Sequence, residues 1–362
     1  MRLTRHEFLG GLVRAFWGSL WVSAGGITTG CGPGRGQSRV PQPEDVAARA
    51  AVDPAFVPGY VWLHRSGELR ARAAELRSWM RRCRLCPRRC GANRLAGEAG
   101  FCRSDHRLKI ASHHSHYGEE RPLVGSGGSG TIFFSNCNVR CVFCINWRIN
   151  HLGMGTHEEV NDLARRMLDL QLKGCHNINL VTPTHYSPFI LEALDRAASW
   201  GLRLPLVYNT SGWERVEVLR RLDGVVDIYL PDFKYWDPQN AARYSSGASS
   251  YPEVTKKAIL EMYRQVGTAR PAADGLIYRG LMIRHLVLPN GVAGTREVLR
   301  WIATHLPKDT WVTLMSQYRP VYRADRYPTI NRRITREEYA EAVGWAREYG
   351  LTNVAIQPYA RL

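Results

Sequence analysis

From about residue 130 onward, short apolar runs of strand length alternate with longer amphipathic stretches of helical length. Repeated strand and helix units of this kind predict a parallel sheet whose crossovers have one hand. We therefore expect an α/β fold, a partial (βα)6 barrel of the TIM type. The six predicted strands are Thr131–Phe134, Asn177–Thr182, Pro205–Asn209, Val226–Leu230, Leu281–Leu288 and Trp311–Ser316.

Residues typical of helix ends occur at several points in this pattern. Two runs, Thr156–Glu159 and Thr335–Glu338, have the spacing of capping boxes, in which Thr and Glu side chains bind each other's backbone amides. Further upstream, apolar residues recur at helical spacing between Glu68 and Arg82. Glycines that can end helices in a left-handed conformation lie at Gly174, Gly201, Gly224 and Gly350.

The first 31 residues resemble an export signal. Basic residues precede a weakly apolar stretch, Ala15–Thr29. The start is similar to a twin-arginine signal with His6 in place of the second Arg, and Gly30-Cys31 is similar to a lipoprotein cleavage site. The alternative is an amphipathic helix or a frayed tail. We therefore expect a cytoplasmic protein, or one that is exported and anchored to a membrane through its N-terminus if the signal is used.

The rest of the chain divides by composition. Residues 32–56 are rich in Pro, Gly and polar residues and are predicted to be a linker. Residues 57–125 form a helical and cysteine-rich segment, and residues 126–362 form the predicted barrel.

Composition favours a folded globular protein with a basic surface. Hydrophobic residues make up 44% of the chain and charged residues 22%, which argues against global disorder. The net charge is +17, but arginines are scattered and not gathered in dense runs, so nucleic acid is not the expected partner. An anionic substrate or partner would use the charge equally well.

Cysteines carry the clearest chemistry. Cys137, Cys141 and Cys144 follow the first predicted strand as CxxxCxxC. Three thiolates can hold a 4Fe-4S cluster while leaving one iron open, and an open iron can bind the amino and carboxylate groups of S-adenosylmethionine (SAM) and reduce its sulfonium. The aromatic ring of Phe143 can pack against adenine. The alternative is a helix face bearing buried thiols.

A second set of cysteines lies upstream. Cys83, Cys86, Cys90 and Cys102 offer four thiolates, which suit a closed site holding either zinc or a second iron-sulfur cluster. Two disulfides are the alternative, with more weight if the chain is exported unfolded. The two other cysteines are Cys31 and Cys175, and Cys175 is predicted to be a small buried apolar residue.

With these motifs the chain resembles the radical SAM superfamily, in particular pyruvate formate-lyase activating enzyme and its uncharacterised relatives. The resemblance covers roughly residues 83–358 and rests on three segments: 83–93 (CRLCPRRCGAN), the loop 137–144, and 230–234 (LPDFK). It implies a partial TIM barrel, a SAM-bound 4Fe-4S cluster and a radical directed at a protein or small-molecule substrate. It also implies an electron donor such as a ferredoxin or flavodoxin.

Polar residues follow the predicted strands, where active sites of parallel barrels lie. Asp232 and Lys234 match the Asp-x-Lys pair of activating enzymes and could bind the methionyl part of SAM. Arg284 could meet a carboxylate. Other candidates are Thr182, Thr184 and His185, where many family members carry Gly-Gly-Glu, then Asn209, Thr210 and Ser211 for ribose hydroxyls, then Pro289-Asn290 and Ser316-Gln317-Tyr318. For each residue alone, a turn or cap is the alternative.

Three functions are compatible with these features. The first is a radical SAM enzyme of the activating type, which abstracts hydrogen from an unknown substrate. The second is a radical SAM enzyme that modifies RNA, for which a contiguous basic rim would be needed. The third is a non-catalytic iron-sulfur electron carrier or zinc-binding interaction protein, which has no use for an open iron.

Overall fold

A nine-stranded mixed sheet forms the centre of the computed structural model, which describes residues 42–359. These residues belong to one compact unit. The predicted export signal, residues 1–31, lies outside the described residues, as do the first part of the predicted linker and the last three residues. The strands are β1 (Leu108–His116), β2 (Ser129–Phe134), β3 (Thr156–Glu158), β4 (Ile178–Val181), β5 (Leu206–Thr210), β6 (Ile228–Pro231), β7 (Gly280–Leu286), β8 (Trp311–Met315) and β9 (Val354–Ile356).

Helices connect most of these strands. Short 3-10 turns supplement them, including Trp79–Arg82 and Thr184–Tyr186. The α-helices are α1 (Pro43–Ala47), α2 (Gly59–Arg65), α3 (Glu68–Ser78), α4 (Arg121–Val124), α5 (Trp147–Asn150), α6 (Val160–Leu172), α7 (Ser187–Ser199), α8 (Val216–Leu219), α9 (Pro238–Tyr244), α10 (Tyr251–Val266), α11 (Thr295–His305) and α12 (Arg336–Glu348). Within residues 42–359 there is no helix with the length and apolar character needed to cross a membrane.

All six predicted strands exist and pair in parallel in chain order, as β2, β4, β5, β6, β7 and β8. The partial six-stranded barrel is not confirmed in that form. The sheet order is β3-β1-β2-β4-β5-β6-β7-β8-β9, so the sheet is open, and β1 pairs antiparallel with both β2 and β3. These extra strands were missed because β1 is rich in His and Ser, and β3 and β9 have only three residues each.

The two faces of the sheet bury different side chains. Alternate strand residues such as Leu180 and Ile283 belong to the large core that also contains buried residues of α3, α6 and α7. On the opposite face, Leu123 of α4 packs with strand residues of β5, β6 and β7 in a smaller apolar cluster. The amide of Ile277 donates to the carbonyl of Pro122 at 3.0 Å, which fixes α4 across this face. Before α4, Glu119 accepts a hydrogen bond from the Asn209 side chain at 3.4 Å, so this segment reaches the carboxyl end of β5.

The helix-end predictions had mixed outcomes. Thr335 caps α12 in a capping box with Glu338, as expected. The box predicted at Thr156–Glu159 is wrong, because Thr156–Glu158 is strand β3 and α6 is capped by Glu159. The four predicted helix-ending glycines all have positive φ angles. The predicted helix between Glu68 and Arg82 is α3 continued by one 3-10 turn.

The described part of the predicted linker packs against the sheet and its helices. It contains α1, and the Gln171 amide donates to the Val46 carbonyl at 2.9 Å. Phe56 stacks on Tyr278 with ring centroids 5.0 Å apart. The boundary predicted at residue 125 also falls inside the fold, since β1 belongs to the sheet. Residues 42–125 are therefore part of the same body as the parallel strands.

Candidate functional site

A cavity of about 370 Å³ opens at the carboxyl ends of the parallel strands. Loops after β2, β4, β5, β6 and β8 line it together with β7 and the segment after β1. The sequence-predicted residues that line it are Cys137, Cys141, Phe143, Cys144, Thr182, Asn209, Thr210, Ser211, Asp232, Lys234, Arg284, Gln317 and Tyr318. The topology thus brings both the cysteine loop and the polar strand ends to one place, as expected of a parallel α/β sheet.

The cysteine loop 137–144 folds sharply after β2. Asn136 and Arg140 have positive φ angles of 75° and 56°, and Asn tolerates this left-handed conformation better than most residues. The Asn136 amide donates to Ser104 Oγ at 3.0 Å. The backbone of Val142 is held from both sides, donating to the Tyr244 carbonyl and accepting from the Arg323 amide at 2.9 Å each. The loop is therefore anchored by several distant segments.

Each of the three cysteine sulfurs accepts a hydrogen bond from a different group. The backbone amide of Val139 lies 3.4 Å from Cys137 Sγ. The Ser245 hydroxyl lies 3.1 Å from Cys141 Sγ, and the Asn150 amide nitrogen lies 3.3 Å from Cys144 Sγ. Donors of this kind stabilise thiolate charge and tune iron-sulfur centres. Ser245 and Asn150 belong to the site although nothing in their local sequence indicated it.

Cys137 and Cys144 need a cation nearby to become thiolates together. Burial, together with the charge of neighbouring cysteines, raises the pKa of Cys137 to about 11 and that of Cys144 to about 12. Metal ions deprotonate coordinating thiols outright. Cys137, Cys141 and Cys144 line one cavity, and each sulfur has its own hydrogen-bond donor, which is a donor set compatible with an iron-sulfur cluster.

Opposite charges meet on the other wall of the cavity. Lys234 Nζ lies 2.6 Å from Asp232 Oδ2, and Arg284 Nε lies 3.2 Å from Asp232 Oδ1. Burial opposes ionisation of Asp232, but Lys234 and Arg284 outweigh it and lower the Asp232 pKa. Arg284 also contacts Glu119 at 3.1 Å and bonds the Asn209 side chain. The wall thus carries two acidic and two basic groups, all nearly buried.

Glu119 is a cavity residue that sequence reasoning missed. It follows β1, a strand without an apolar alternation, and no motif surrounds it. Burial raises the pKa of Glu119, while Arg284 opposes that rise. The one feature of the sequence that could have pointed to Glu119 is the Glu119-Glu120 pair directly before α4, the helix that packs against β5, β6 and β7.

Aromatic rings close the cavity near the cysteine loop. The ring of Phe143 meets Tyr318 edge to face at 5.5 Å and Tyr235 at 6.4 Å. Such contacts fix the orientation of the Phe143 ring. A flat, rigid apolar surface therefore lies beside the three sulfurs.

Two residues predicted to contact a cofactor do not line the cavity. Thr184 and His185 are fully buried in the 3-10 turn after β4, where Thr184 donates to the Glu214 carboxylate. His185 Nε2 lies 2.9 Å from the Ser135 carbonyl, and burial lowers the His185 pKa to about 3. Both residues therefore pack behind the cavity, which Thr182 alone of the three lines, and His185 Nδ1 is buried without a hydrogen-bond partner. Asn290, another strand-end candidate, bonds Thr329 and Arg332 elsewhere.

The four upstream cysteines lie close to one another. A side chain at Gly100 would place its Cβ 3.1 Å from Cys90 Sγ and 3.6 Å from Cys102 Sγ, so glycine permits this approach. A hydrogen bond between Cys83 and Cys90 raises the pKa of Cys83 and lowers that of Cys90. All four thiols are free. Within residues 42–359 no group of three or more His, Cys, Asp or Glu side chains has the geometry to hold a metal ion, so a metal at this segment and a cluster at Cys137, Cys141 and Cys144 both stay predictions.

Arg88 joins the two cysteine segments. Its guanidinium donates to the carbonyls of Asn138 and Ser245 at 3.0 and 3.1 Å, and it stacks over the ring of Phe101 at 3.9 Å. Ser245 is the same residue that donates to Cys141. The upstream segment is therefore connected physically to the loop that lines the cavity.

The fold and this site define an α/β protein with a cysteine-lined, charged cavity at the carboxyl edge of its sheet. No family model matches the sequence. The chain is 33% identical over 282 residues to the uncharacterised protein MJ0674 of Methanocaldococcus jannaschii, covering 74% of this chain and 75% of that protein. The chain therefore belongs to the same family as this archaeal protein.

A solved structure can also be superimposed in part. The structure of TYW1 with a lysine-pyruvate adduct bound matches 64% of this chain and 75% of that chain, with a TM-score of 0.39 and 10% sequence identity. A similarity at this level defines neither fold nor function.

Proposed function

We propose that the chain is a radical SAM enzyme whose 4Fe-4S cluster is held by Cys137, Cys141 and Cys144. The observation that carries the proposal is that these three cysteines line one cavity together with a balanced set of nearly buried charges. A helix face of buried thiols would not need a donor for each sulfur. An electron carrier would not need Asp232, Lys234 and Arg284 beside its cluster.

The chain's own residues would hold the cluster and tune it. When bound, the cluster supplies the electron that cleaves SAM to methionine and a 5′-deoxyadenosyl radical. Val139, Ser245 and Asn150 donate to the three sulfurs and so stabilise negative charge on them. Three protein ligands leave one coordination position for the cosubstrate.

The charged wall suits the methionyl part of SAM, which carries an ammonium and a carboxylate. Asp232 and Glu119 could accept from the ammonium, while Lys234 and Arg284 could bind the carboxylate. Asn209 and Ser211 offer hydrogen bonds to ribose hydroxyls. The Phe143 ring offers a stacking surface for adenine. Glu119 is a candidate for the carboxylate that many relatives of activating enzymes provide after the second strand, where this chain has Thr182.

The upstream cysteines are suited to a second metal centre, one without an open coordination position. Cys83, Cys86, Cys90 and Cys102 would fill the coordination sphere of an iron-sulfur cluster or a zinc ion. Arg88 links this segment to the cysteine loop, so a second cluster could pass electrons from a donor such as a ferredoxin or flavodoxin. A zinc ion there would stabilise the structure of the upstream segment but would carry no electrons.

We infer an activating-enzyme type of reaction, in which the radical abstracts a hydrogen atom from a protein or small-molecule substrate. The sequence resemblance to the activating enzymes supports this class. The proposal does not depend on the identity of the substrate.

Anaerobic reconstitution tests the proposal. The chain is loaded with iron and sulfide, reduced with dithionite and incubated with SAM. Formation of 5′-deoxyadenosine, measured by chromatography and mass spectrometry, is the expected result. A cluster that forms but leaves SAM intact would favour the electron-carrier alternative.

A further inference from the structure

A second cavity, of about 270 Å³, lies apart from the cysteine-lined one. The 3-10 turn after α3, the start of the upstream cysteine segment, and α8 with the residues that flank it surround this cavity. It is lined by Trp79, Arg84, Arg215, Glu217, Arg220 and Arg221. Four of the six lining residues are arginines, and none of the six lines the cysteine-lined cavity.

Three of these arginines gather around one indole ring. The guanidinium carbons of Arg84, Arg215 and Arg221 lie 4.9, 5.8 and 5.8 Å from the centroid of the Trp79 ring. Cation–π attraction can hold one guanidinium against a ring, but it does not remove the repulsion among three. Concentrated like charge of this kind favours binding of an anion.

The acidic residues nearby do not balance the arginines. Arg215 pairs with Glu217 at 3.1 Å, and Arg221 pairs with Glu75 at 2.7 Å. Arg84 and Arg220 form no ion pair within the part of the chain that the structure describes, although Arg84 lies within electrostatic reach of Glu75 and Arg220 within that of Glu261. Neither guanidinium is held by a carboxylate at ion-pair distance, so both can bind an external anion.

Arg215, which lines this cavity, has one hydrogen-bond donor without a partner. Its side chain is only 10% exposed, and its Nε is buried without a hydrogen-bond partner. Its Nη1 donates to the backbone carbonyl of Arg84, which holds the guanidinium in place. A buried donor without a partner costs free energy unless a ligand or a water satisfies it.

The chemistry and size of the cavity indicate the ligand. One guanidinium group can donate two parallel, charge-assisted hydrogen bonds to two oxygens of a phosphate. A volume of about 270 Å³ is at the lower end of small-molecule sites, so it suits one or two phosphate groups better than a large organic ligand. Glu217, already paired with Arg215, narrows one side of the cavity.

We propose that this cavity binds a phosphate group, contributed either by a free polyphosphate compound or by the backbone of a short nucleotide chain. Arg84, Arg215, Arg220 and Arg221 are its ligands. The site is independent of the cluster chemistry proposed above, and its failure would leave that proposal untouched.

Isothermal titration of the full chain with inorganic pyrophosphate tests the site. We expect saturable binding with one site per chain, and about tenfold or more weaker binding in the double variant Arg84→Ala/Arg220→Ala, whose two side chains are exposed. The single variant Arg220→Ala, distant in sequence from the cysteines, should weaken binding severalfold. The matched control is Arg300→Ala/Arg347→Ala, which removes two exposed arginines elsewhere and should bind as the unaltered chain does.

Two results would overturn the proposal: no saturable binding by the unaltered chain, or equal losses in the double variant and its control. A short single-stranded RNA then identifies the source of the phosphate group. Competition between this RNA and pyrophosphate assigns the site to a nucleotide backbone. Pyrophosphate binding that RNA does not displace assigns it to a free phosphate compound.

Discussion

At the scale of single residues, the cavity depends on side chains that support the cysteines and the charged wall. Ser245 is fully buried, bonds Cys141 and Tyr235, and accepts from Arg88 through its carbonyl. No sequence pattern marks such a residue, because its role depends on a contact between segments about a hundred residues apart. CxxxCxxC and DxK, by contrast, are local and could be recognised in the sequence.

Replacing Ser245 with Ala should lower the reduction potential of the cluster while its iron content is kept. Loss of one hydrogen bond to a cysteine sulfur, worth about 0.5–1.5 kcal/mol, corresponds to roughly 20–60 mV for one electron. Redox titration followed by electron paramagnetic resonance measures this shift. Ser249→Ala, which removes an exposed hydroxyl four residues further along the chain, is the control and should leave the potential unchanged. An unchanged potential in Ser245→Ala would rule out a tuning role.

Asp232→Asn should weaken SAM binding by about tenfold or more, because the variant keeps the shape of the side chain but loses the charge that faces the ammonium. Its iron content should equal that of the unaltered chain. Equilibrium dialysis with SAM, together with iron analysis, distinguishes the two effects. Loss of iron or of folding would mean that Asp232 only holds Lys234 and Arg284 in place.

His185 illustrates why position after a strand is not sufficient to predict a contact. The sequence placed it at the carboxyl end of β4, where cavity residues are expected. The chain there turns into a 3-10 helix, and the imidazole is buried against the Ser135 carbonyl. Thr182 alone of its neighbours in that prediction reaches the cavity.

At the scale of elements, the parallel strands were predictable and the antiparallel additions were not. Buried strands of a parallel sheet are continuous apolar runs, and all six were found within a few residues of their bounds. Strand β1 carries His and Ser at positions 112–116, so its alternation is weak. Its antiparallel pairing with β2, the next strand in the chain, is not encoded in the hydrophobic periodicity of the sequence.

Helix α4 is short, but it fixes the segment that carries Glu119 into the cavity. Leu123 is fully buried against β5, β6 and β7, and its truncation would leave an empty space between α4 and these strands. We expect Leu123→Ala to reduce the free energy of unfolding by about 2–5 kcal/mol. Chemical denaturation followed by circular dichroism measures the change. Leu172→Ala, at a position that is 49% exposed at the end of α6, should cost far less, and equal losses would contradict this packing.

At the scale of the whole molecule, the upstream cysteines, the sheet and the cavity form one body. The sequence suggested a separate segment ending at residue 125, because its composition differs from that of the barrel. In the structure Arg88 bonds the cysteine loop, and β1 pairs with β2. Long-range contacts of this kind explain why domain boundaries were harder to predict than strands.

Metal analysis of a variant lacking Cys137, Cys141 and Cys144 tests the second centre. Because the upstream thiols do not depend on the cysteine loop for ligands, we expect this triple Ala variant to retain one metal centre per chain. Residual iron would identify an auxiliary cluster, and residual zinc would identify a structural site. A variant that holds no metal and has oxidised thiols would show that the upstream cysteines form disulfides.

The central claim is that three cysteines hold a cluster that cleaves SAM, and Cys141→Ala tests it most directly. The variant and its control, Cys175→Ala, are reconstituted anaerobically, reduced and supplied with SAM, and 5′-deoxyadenosine is measured. Cys175 is a buried thiol outside both cysteine sets, bonded to Ser115. We predict product from the unaltered chain and from Cys175→Ala, and none above background from Cys141→Ala. Full product formation by Cys141→Ala would contradict the assignment.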